Sequence, residues 1–206
     1  NFTSVLLKND SGGTISGQYN NTLGKFSSMT LRDKLLKKSK EEVNKHVTQG
    51  FSQSFNFSNI KIDSLQQFDF PLSIQFDLKI KAEDSDQDII YFNPMLAEGY
   101  KKNPFSLTQR QHPVEMPYRL NETYKLTMDI PKGYSVDELP KSTKVLFNEN
   151  EGGFEYVIVK NEDKIILQSK IYFNKAIFPP KDYDVLRNFF GVIVKKHSEQ
   201  IVFKKN

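Results

Sequence analysis

From Leu72 to Ile80 every second residue is apolar, with Leu72, Ile74, Phe76, Leu78 and Ile80 separated by single polar residues. A period of two is that of a strand with one buried and one wet face. The same alternation returns at Tyr124, Leu126, Met128 and Ile130, and in parts of 143–147, 154–159 and 165–173. Phe51, Phe55, Phe57, Ile60 and Ile62 precede the first clear strand, and the short run Ile89, Ile90, Tyr91, Phe92 follows it. Near the start, two short β-like runs flank Asn9-Asp10-Ser11-Gly12-Gly13, a glycine-bearing turn that suits a hairpin, and Gly152-Gly153 and Asn161-Glu162-Asp163 read as hairpin connections.

Two stretches change period. Leu31, Leu35, Leu36, Val43 and Val47 recur at helical spacing, with Thr30 as cap, Asp33 three residues on and Gly50 at the end, which predicts one amphipathic helix over 31–49. After Pro179-Pro180, the residues Tyr183, Leu186, Phe189, Phe190 and Ile193 share one face of a helix over 181–195. Gly191 and the β-branched Val192, Ile193 and Val194 weaken that helix beyond Phe190, and 200–205 returns to a strand.

Strands in succession without intervening helices predict a mainly β fold, with antiparallel sandwich-like sheets and two amphipathic helices. Five of the nine prolines, at 104, 113, 117, 131 and 140, fall within 103–140. The organisation expected is therefore an N-terminal β-rich half over 1–102, a proline-rich joint over 103–123 and a C-terminal β half over 124–206.

Composition reinforces this. Seventeen Phe and nine Tyr without Trp supply the flat, bulky side chains of β cores. The absence of cysteine removes disulfides, thiolate metal sites and cysteine nucleophiles from the chain. A net charge of +4 rests mostly on dispersed lysines, with arginine only at Arg32, Arg110, Arg119 and Arg187; a solvated lysine surface fits better than a nucleic-acid partner, which would favour the arginine fork. No apolar run is long enough to span a membrane. The opening Asn-Phe-Thr, without methionine or leader, suggests a mature or excised fragment.

Candidate chemistry is sparse. The possible bases His46, His112 and His197 lack a nucleophile-elbow or zinc-spaced neighbour, and His46 reads as a residue complementing a helix C-terminus. Glu83, Asp84, Asp86 and Asp88 could supply oxygen ligands to calcium, but read better as a solvated loop. Neither a metal nor a cofactor is expected. Paired glycosidase carboxylates borne on distant strands would leave no local spacing, so that alternative stays open; Glu115, Asp137 and Glu138 near the joint read as surface acids. A glycan or peptide groove is the other alternative, with Arg110, His112 and Tyr118, helped by Tyr91 and Tyr100, as its lining. The plainer reading has Tyr118 and Arg110 pinning the joint.

One resemblance runs through these segments. Asn103-Pro104-Phe105, Arg110, Pro113-Val114, Tyr118 and Ile130-Pro131-x-Gly133-Tyr134-x-Val136-x-Glu138-Leu139-Pro140 resemble the C-terminal domain of unknown function in bacterial transglutaminase-like proteins. The similarity extends to Tyr91-Phe92-Asn93-Pro94, to Tyr183-x-x-Leu186-Arg187-x-Phe189-Phe190 and to Gln200-Ile201-Val202-x-Lys204-Lys205. The resemblance implies a non-catalytic accessory module, placed after a catalytic core in envelope-associated proteins of Gram-negative bacteria, periplasmic or in the outer envelope. Its partners would be that upstream core and a peptide or glycan. The family's Cys, His and Asp triad belongs to the core, so no catalytic residue is implied here.

Overall fold

Strands β1 (Phe2–Asn9) and β2 (Ile15–Thr22) pair antiparallel in full register, from Phe2 opposite Thr22 to Asn9 opposite Ile15. The computed structural model describes residues 1–10, 14–52, 54–80 and 87–206. The predicted hairpin is thus present as a strand pair, while 11–13 of its turn lie outside the described residues. So do Glu83, Asp84 and Asp86 of the acidic stretch considered for calcium.

The remaining strands are β3 (Phe55–Asp63), β4 (Ser73–Ile80), β5 (Ile89–Phe92), β6 (Val114–Glu115), β7 (Asn121–Asp129), β8 (Tyr134–Glu138) and β9 (Thr143–Phe147), followed by β10 (Gly152–Asn161), β11 (Lys164–Phe173), β12 (Ile177–Phe178) and β13 (Ile201–Lys205). Eight of them form one mixed sheet in the order β3-β4-β2-β1-β7-β11-β10-β9. A three-stranded sheet β5-β13-β8 and a two-stranded β12-β6 complete the fold. With 43% strand and 19% helix the class is mainly β, as the alternation predicts.

The seam between the two halves is β1 against β7, and it is the parallel pair, running from Phe2 beside Thr123 to Leu7 beside Met128. One sheet therefore runs through both. Its inner face carries Val5 and Leu7 together with alternating residues read from the sequence: Ile74, Phe76 and Leu78, Tyr124, Leu126 and Met128, and Ile165, Leu167 and Ile171, all buried. Each such side chain removed from water contributes about 1.5–3 kcal/mol.

Helix α3 (Tyr183–His197) follows a 3-10 turn over Pro180–Asp182 and buries Leu186, Phe189, Phe190 and Ile193. Phe189 meets Phe147 and Phe173 edge-on or tilted, at 5.5 Å between ring centroids in each case. Packing on the sheet carries the helix through Gly191 and the β-branched run that weaken it by propensity alone.

The N-terminal helix differs from expectation. In place of one helix over 31–49 with a Thr30 cap, there are two, α1 (Lys25–Leu35) and α2 (Lys40–Thr48). Thr30 lies inside α1, its hydroxyl donating to the Phe26 carbonyl one turn back. The break is set by a capping box: the Glu42 amide donates to Ser39 Oγ at 3.3 Å and the Ser39 amide to Glu42 Oε2 at 2.9 Å. Those bonds satisfy first-turn amides and start a second helix where the apolar spacing suggested continuation. The described residues thus hold three α-helices, with His46 in the last turn of α2.

The proline-rich joint straps α3. Asn103 Nδ2 donates to the Arg187 carbonyl at 2.8 Å, Arg187 Nη1 donates back to the Leu107 carbonyl at 3.1 Å, and Phe105 sits edge-on to Tyr183 and Phe190.

Candidate functional site

Where β1, β2 and β7 meet, the inner face of the sheet turns polar. Thr3, Tyr19 and Asn21 come from β1 and β2, Glu122 and Tyr124 from β7, Ser169 from β11 and His197 from the end of α3. The turn after β5 lays Glu98 and Tyr100 over them, and the group borders a cavity of ≈ 340 Å³.

Two carboxyls anchor the group. Glu98 accepts from the Tyr19 hydroxyl at 2.7 Å and from Thr3 Oγ1 at 3.1 Å, while Asn21 Nδ2 donates to both of those hydroxyl oxygens at 3.1 and 3.0 Å. Glu122 accepts from the Tyr100 hydroxyl at 2.9 Å. Burial raises the Glu98 carboxyl above the ordinary carboxylate range, the Tyr19 and Thr3 hydrogen bonds oppose the shift, and the nearby Glu122 adds to it. Glu122 is likewise raised by burial and opposed by Tyr100. Tyr19, Tyr100 and Tyr124 are all pushed up, chiefly by burial, and so stay protonated as donors.

The imidazole of His197 lies 3.0 Å from Ser169 Oγ through Nε2, a contact with the look of a nucleophile and its base. Its other nitrogen decides the chemistry. The Tyr100 amide donates to Nδ1 at 3.1 Å, so Nδ1 carries no proton and the neutral ring holds its proton on Nε2. His197 therefore donates to Ser169 and cannot accept the serine proton. Burial pushes its pKa down to about 4, and both residues are 3% exposed. A general base needs the opposite polarity and access to substrate.

The residues nominated from sequence have different surroundings. Arg110 and His112 are exposed in the joint, whereas Tyr118 is half-buried, stacks on Phe26 at 5.3 Å between centroids and shares a 2.9 Å hydrogen bond with Ser27 Oγ. Tyr100, read as a groove aromatic, is instead tied inward to Glu122. Tyr91 is exposed, as are Glu115, Asp137 and Glu138. Among the described residues no cluster of His, Cys, Asp or Glu could hold a metal, and no helix is long and apolar enough to cross a membrane. The polar cluster itself went unread because its members come from separate elements and share no spacing; His197 was named, but nothing in the sequence pairs it with Ser169.

The C-terminal stretch over 88–203 matches the family model described as a domain of unknown function with solved structure, DUF3858. The chain belongs to the DUF3858 family. The matched stretch supplies Glu98, Tyr100, Glu122, Ser169 and His197, while Thr3, Tyr19 and Asn21 lie before it, so the cluster is completed across the β1–β7 seam. Among curated proteins there is no match. Of solved structures, the chain is similar to one from Parabacteroides distasonis described as a "putative protease", at 17% identity and a TM-score of 0.47 over 60% of this chain. The match takes in 25% of that chain, so this one spans about a quarter of its length.

Proposed function

We propose that the chain is a non-catalytic β module that supports or positions a transglutaminase-like catalytic core of the same polypeptide, in the periplasm or outer envelope of a Gram-negative bacterium. The observation that carries this reading is the proton polarity at His197. The one histidine in contact with a serine hydroxyl among the described residues donates to it rather than accepting from it.

The motifs behind the resemblance also have packing roles. Asn93 and Asn103 each donate from Nδ2 to a carbonyl of α3, at His197 and Arg187, and each accepts the amide two residues on through Oδ1. Gly133 takes φ +87° in the turn that closes Tyr134 onto Pro131, a conformation that suits glycine. Tyr183, Leu186, Phe189 and Phe190 are core. Residues of this kind hold a scaffold.

The test is turnover. The purified chain, incubated with a labelled protein substrate for hydrolysis and with a glutamine peptide plus an amine for transfer, is expected to show no rate above buffer. A rate abolished by Ser169→Ala, Glu98→Gln or Glu122→Gln would overturn the reading.

A second reading, a glycan- or peptide-binding module, is favoured by the Phe26 ring. It is exposed, backed by Tyr118, and borders a cavity of ≈ 550 Å³ together with Lys25, Pro117, Arg119 and Asn121. Array screening of the chain against its Phe26→Ala variant tests it, and an identical pattern from both would count against it.

A further inference from the structure

The cavity at the β1–β7 seam is lined by two carboxyls and by no lysine or arginine. Its charged groups are Glu98, Glu122 and the terminal ammonium of Asn1, which donates to the Asn121 carbonyl at 2.8 Å. That ammonium favours the charged form of Glu122. Glu98 has no such neighbour: among the described residues it forms no ion pair, and the charge that acts on it is the like charge of Glu122. His197, also in the wall, is neutral. A buried carboxylate without a cation is costly.

A second group in the wall lacks a partner. Asn21 is 9% exposed, and among the described residues its buried Oδ1 has no hydrogen bond. The orientation of the amide follows from Glu98. Tyr19 and Thr3 give their hydroxyl protons to the carboxylate, so each hydroxyl oxygen is left to accept, and both accept from Asn21 Nδ2. Turning the amide over would set Oδ1 against those oxygens and lose both bonds. The leftover acceptor belongs to a residue of the cavity wall, and a buried acceptor calls for a donor.

The complementary group is therefore both a donor and a cation. Water would serve Asn21 Oδ1 but leave Glu98 uncompensated. Calcium takes about six to eight oxygens, and among the described residues no cluster could hold a metal. A guanidinium needs a free carboxylate edge for its planar fork, whereas Glu98 Oε1 is held by Tyr19 and Oε2 by Thr3. An ammonium is a point charge with three N–H donors and needs only a lone pair on each acceptor. Leu23, Met95, Ala97 and Ile171 give the cavity an apolar wall for a short alkyl chain. We propose that the seam cavity binds a primary alkylammonium group, which donates to Asn21 Oδ1 and Glu98 while Glu122 supplies the second negative charge. The group is carried by a free alkylamine or by a lysine side chain.

Isothermal titration calorimetry at neutral pH, with butylammonium and with a blocked tripeptide holding one lysine, tests this and separates the two sources. One saturable site is expected; binding of butylammonium alone assigns it to free amines, and binding of the peptide admits a lysine side chain. Tetramethylammonium, which has the charge but no N–H, should bind about tenfold more weakly than butylammonium. Glu98→Gln keeps an acceptor for Tyr19 and removes the charge, and should weaken amine binding about tenfold or more, with an unchanged circular dichroism spectrum. In a crystal soaked with the amine, its nitrogen should lie within hydrogen-bond distance of Asn21 Oδ1. Absence of binding by either amine overturns the proposal. So does equal affinity for tetramethylammonium and butylammonium, equal affinity of the parent and Glu98→Gln, or water alone at Asn21 Oδ1 in the soaked crystal.

Discussion

His197 donates its Nε2 proton to Ser169 Oγ at 3.0 Å because the Tyr100 amide occupies Nδ1. Protonating the ring would force an N–H against that amide and place a charge in a site lined by Phe154 and Tyr156. The neutral ring is therefore part of the folded state.

Acid should unfold the protein through this residue. Burial holds the folded-state pKa at about 4 against an ordinary 6.5. The unfolded chain takes up the proton first, so stability present above 6.5 is lost as pH falls from there to about 4, a loss of about 3 kcal/mol at 1.36 kcal/mol per pKa unit. In His197→Gln, which can still donate to Ser169, urea midpoints followed over that window should slope less than in the parent. Parallel slopes would refute the assignment.

Glu98 acts in the opposite sense. Its carboxyl is raised by burial and by Glu122, so the folded state keeps the proton to higher pH than the unfolded chain does. Its contribution is complete below the ordinary carboxylate range and fades as pH rises through the raised value. Glu98→Gln removes the buried charge, and its oxygen can still accept from Tyr19. The variant should lose less stability than the parent between acidic and mildly alkaline pH, measured by chemical unfolding.

What could be read in advance follows from what is local. Alternation located β4, β7 and β11, since a strand with one dry face must alternate, and the stripe from Tyr183 to Ile193 located α3. Pairing is not local: nothing in Val5 or Leu7 announces a parallel neighbour some 120 residues away at Leu126 and Met128. The Ser39-Lys40-Glu41-Glu42 capping box has a local signature, Ser with Glu three residues on, yet it falls inside a stretch whose apolar spacing predicts one continuous helix. The role of Arg32 is not local either, because burial of an arginine on carbonyls depends on a loop more than thirty residues further on.

Arg32 is also a severe test of the N-terminal half. Arg32→Ala would leave the carbonyls of Ser64, Leu65, Gln67 and Phe70 without their donor and open a cavity, costing about 3–5 kcal/mol. Arg32→Lys keeps the charge but offers three donors from a single point and should recover only part of the loss. Urea unfolding measures both, and hydrogen exchange should show the amides around 64–70 losing protection first.

Asn93 and Asn103 make the same pair of bonds at two places on α3, the helix end at His197 and its middle at Arg187. Ten residues of helix separate the two carbonyls, about 15 Å at 1.5 Å per residue. Alanine at either site should cost about 1–2 kcal/mol, and the double variant should lose the sum within about 0.5 kcal/mol. Strong coupling would show that the joint and the 93–100 turn yield as one unit.

Tyr118 and Arg110 were both expected to clamp the joint, and their surroundings now separate them. The Tyr118 ring stacks nearly parallel on Phe26, with 6° between planes, and its hydroxyl reaches Ser27, so it fastens the joint to α1. Arg110 is exposed in a stretch without regular structure. Tyr118→Ala should lower stability by about 1–2 kcal/mol through the lost aromatic pair and hydrogen bond, while Arg110→Ala should stay within about 0.5 kcal/mol of the parent. Thermal melts of the two variants decide the matter, and equal losses would mean that the joint is held by contacts along its whole length rather than by the Tyr118 stack.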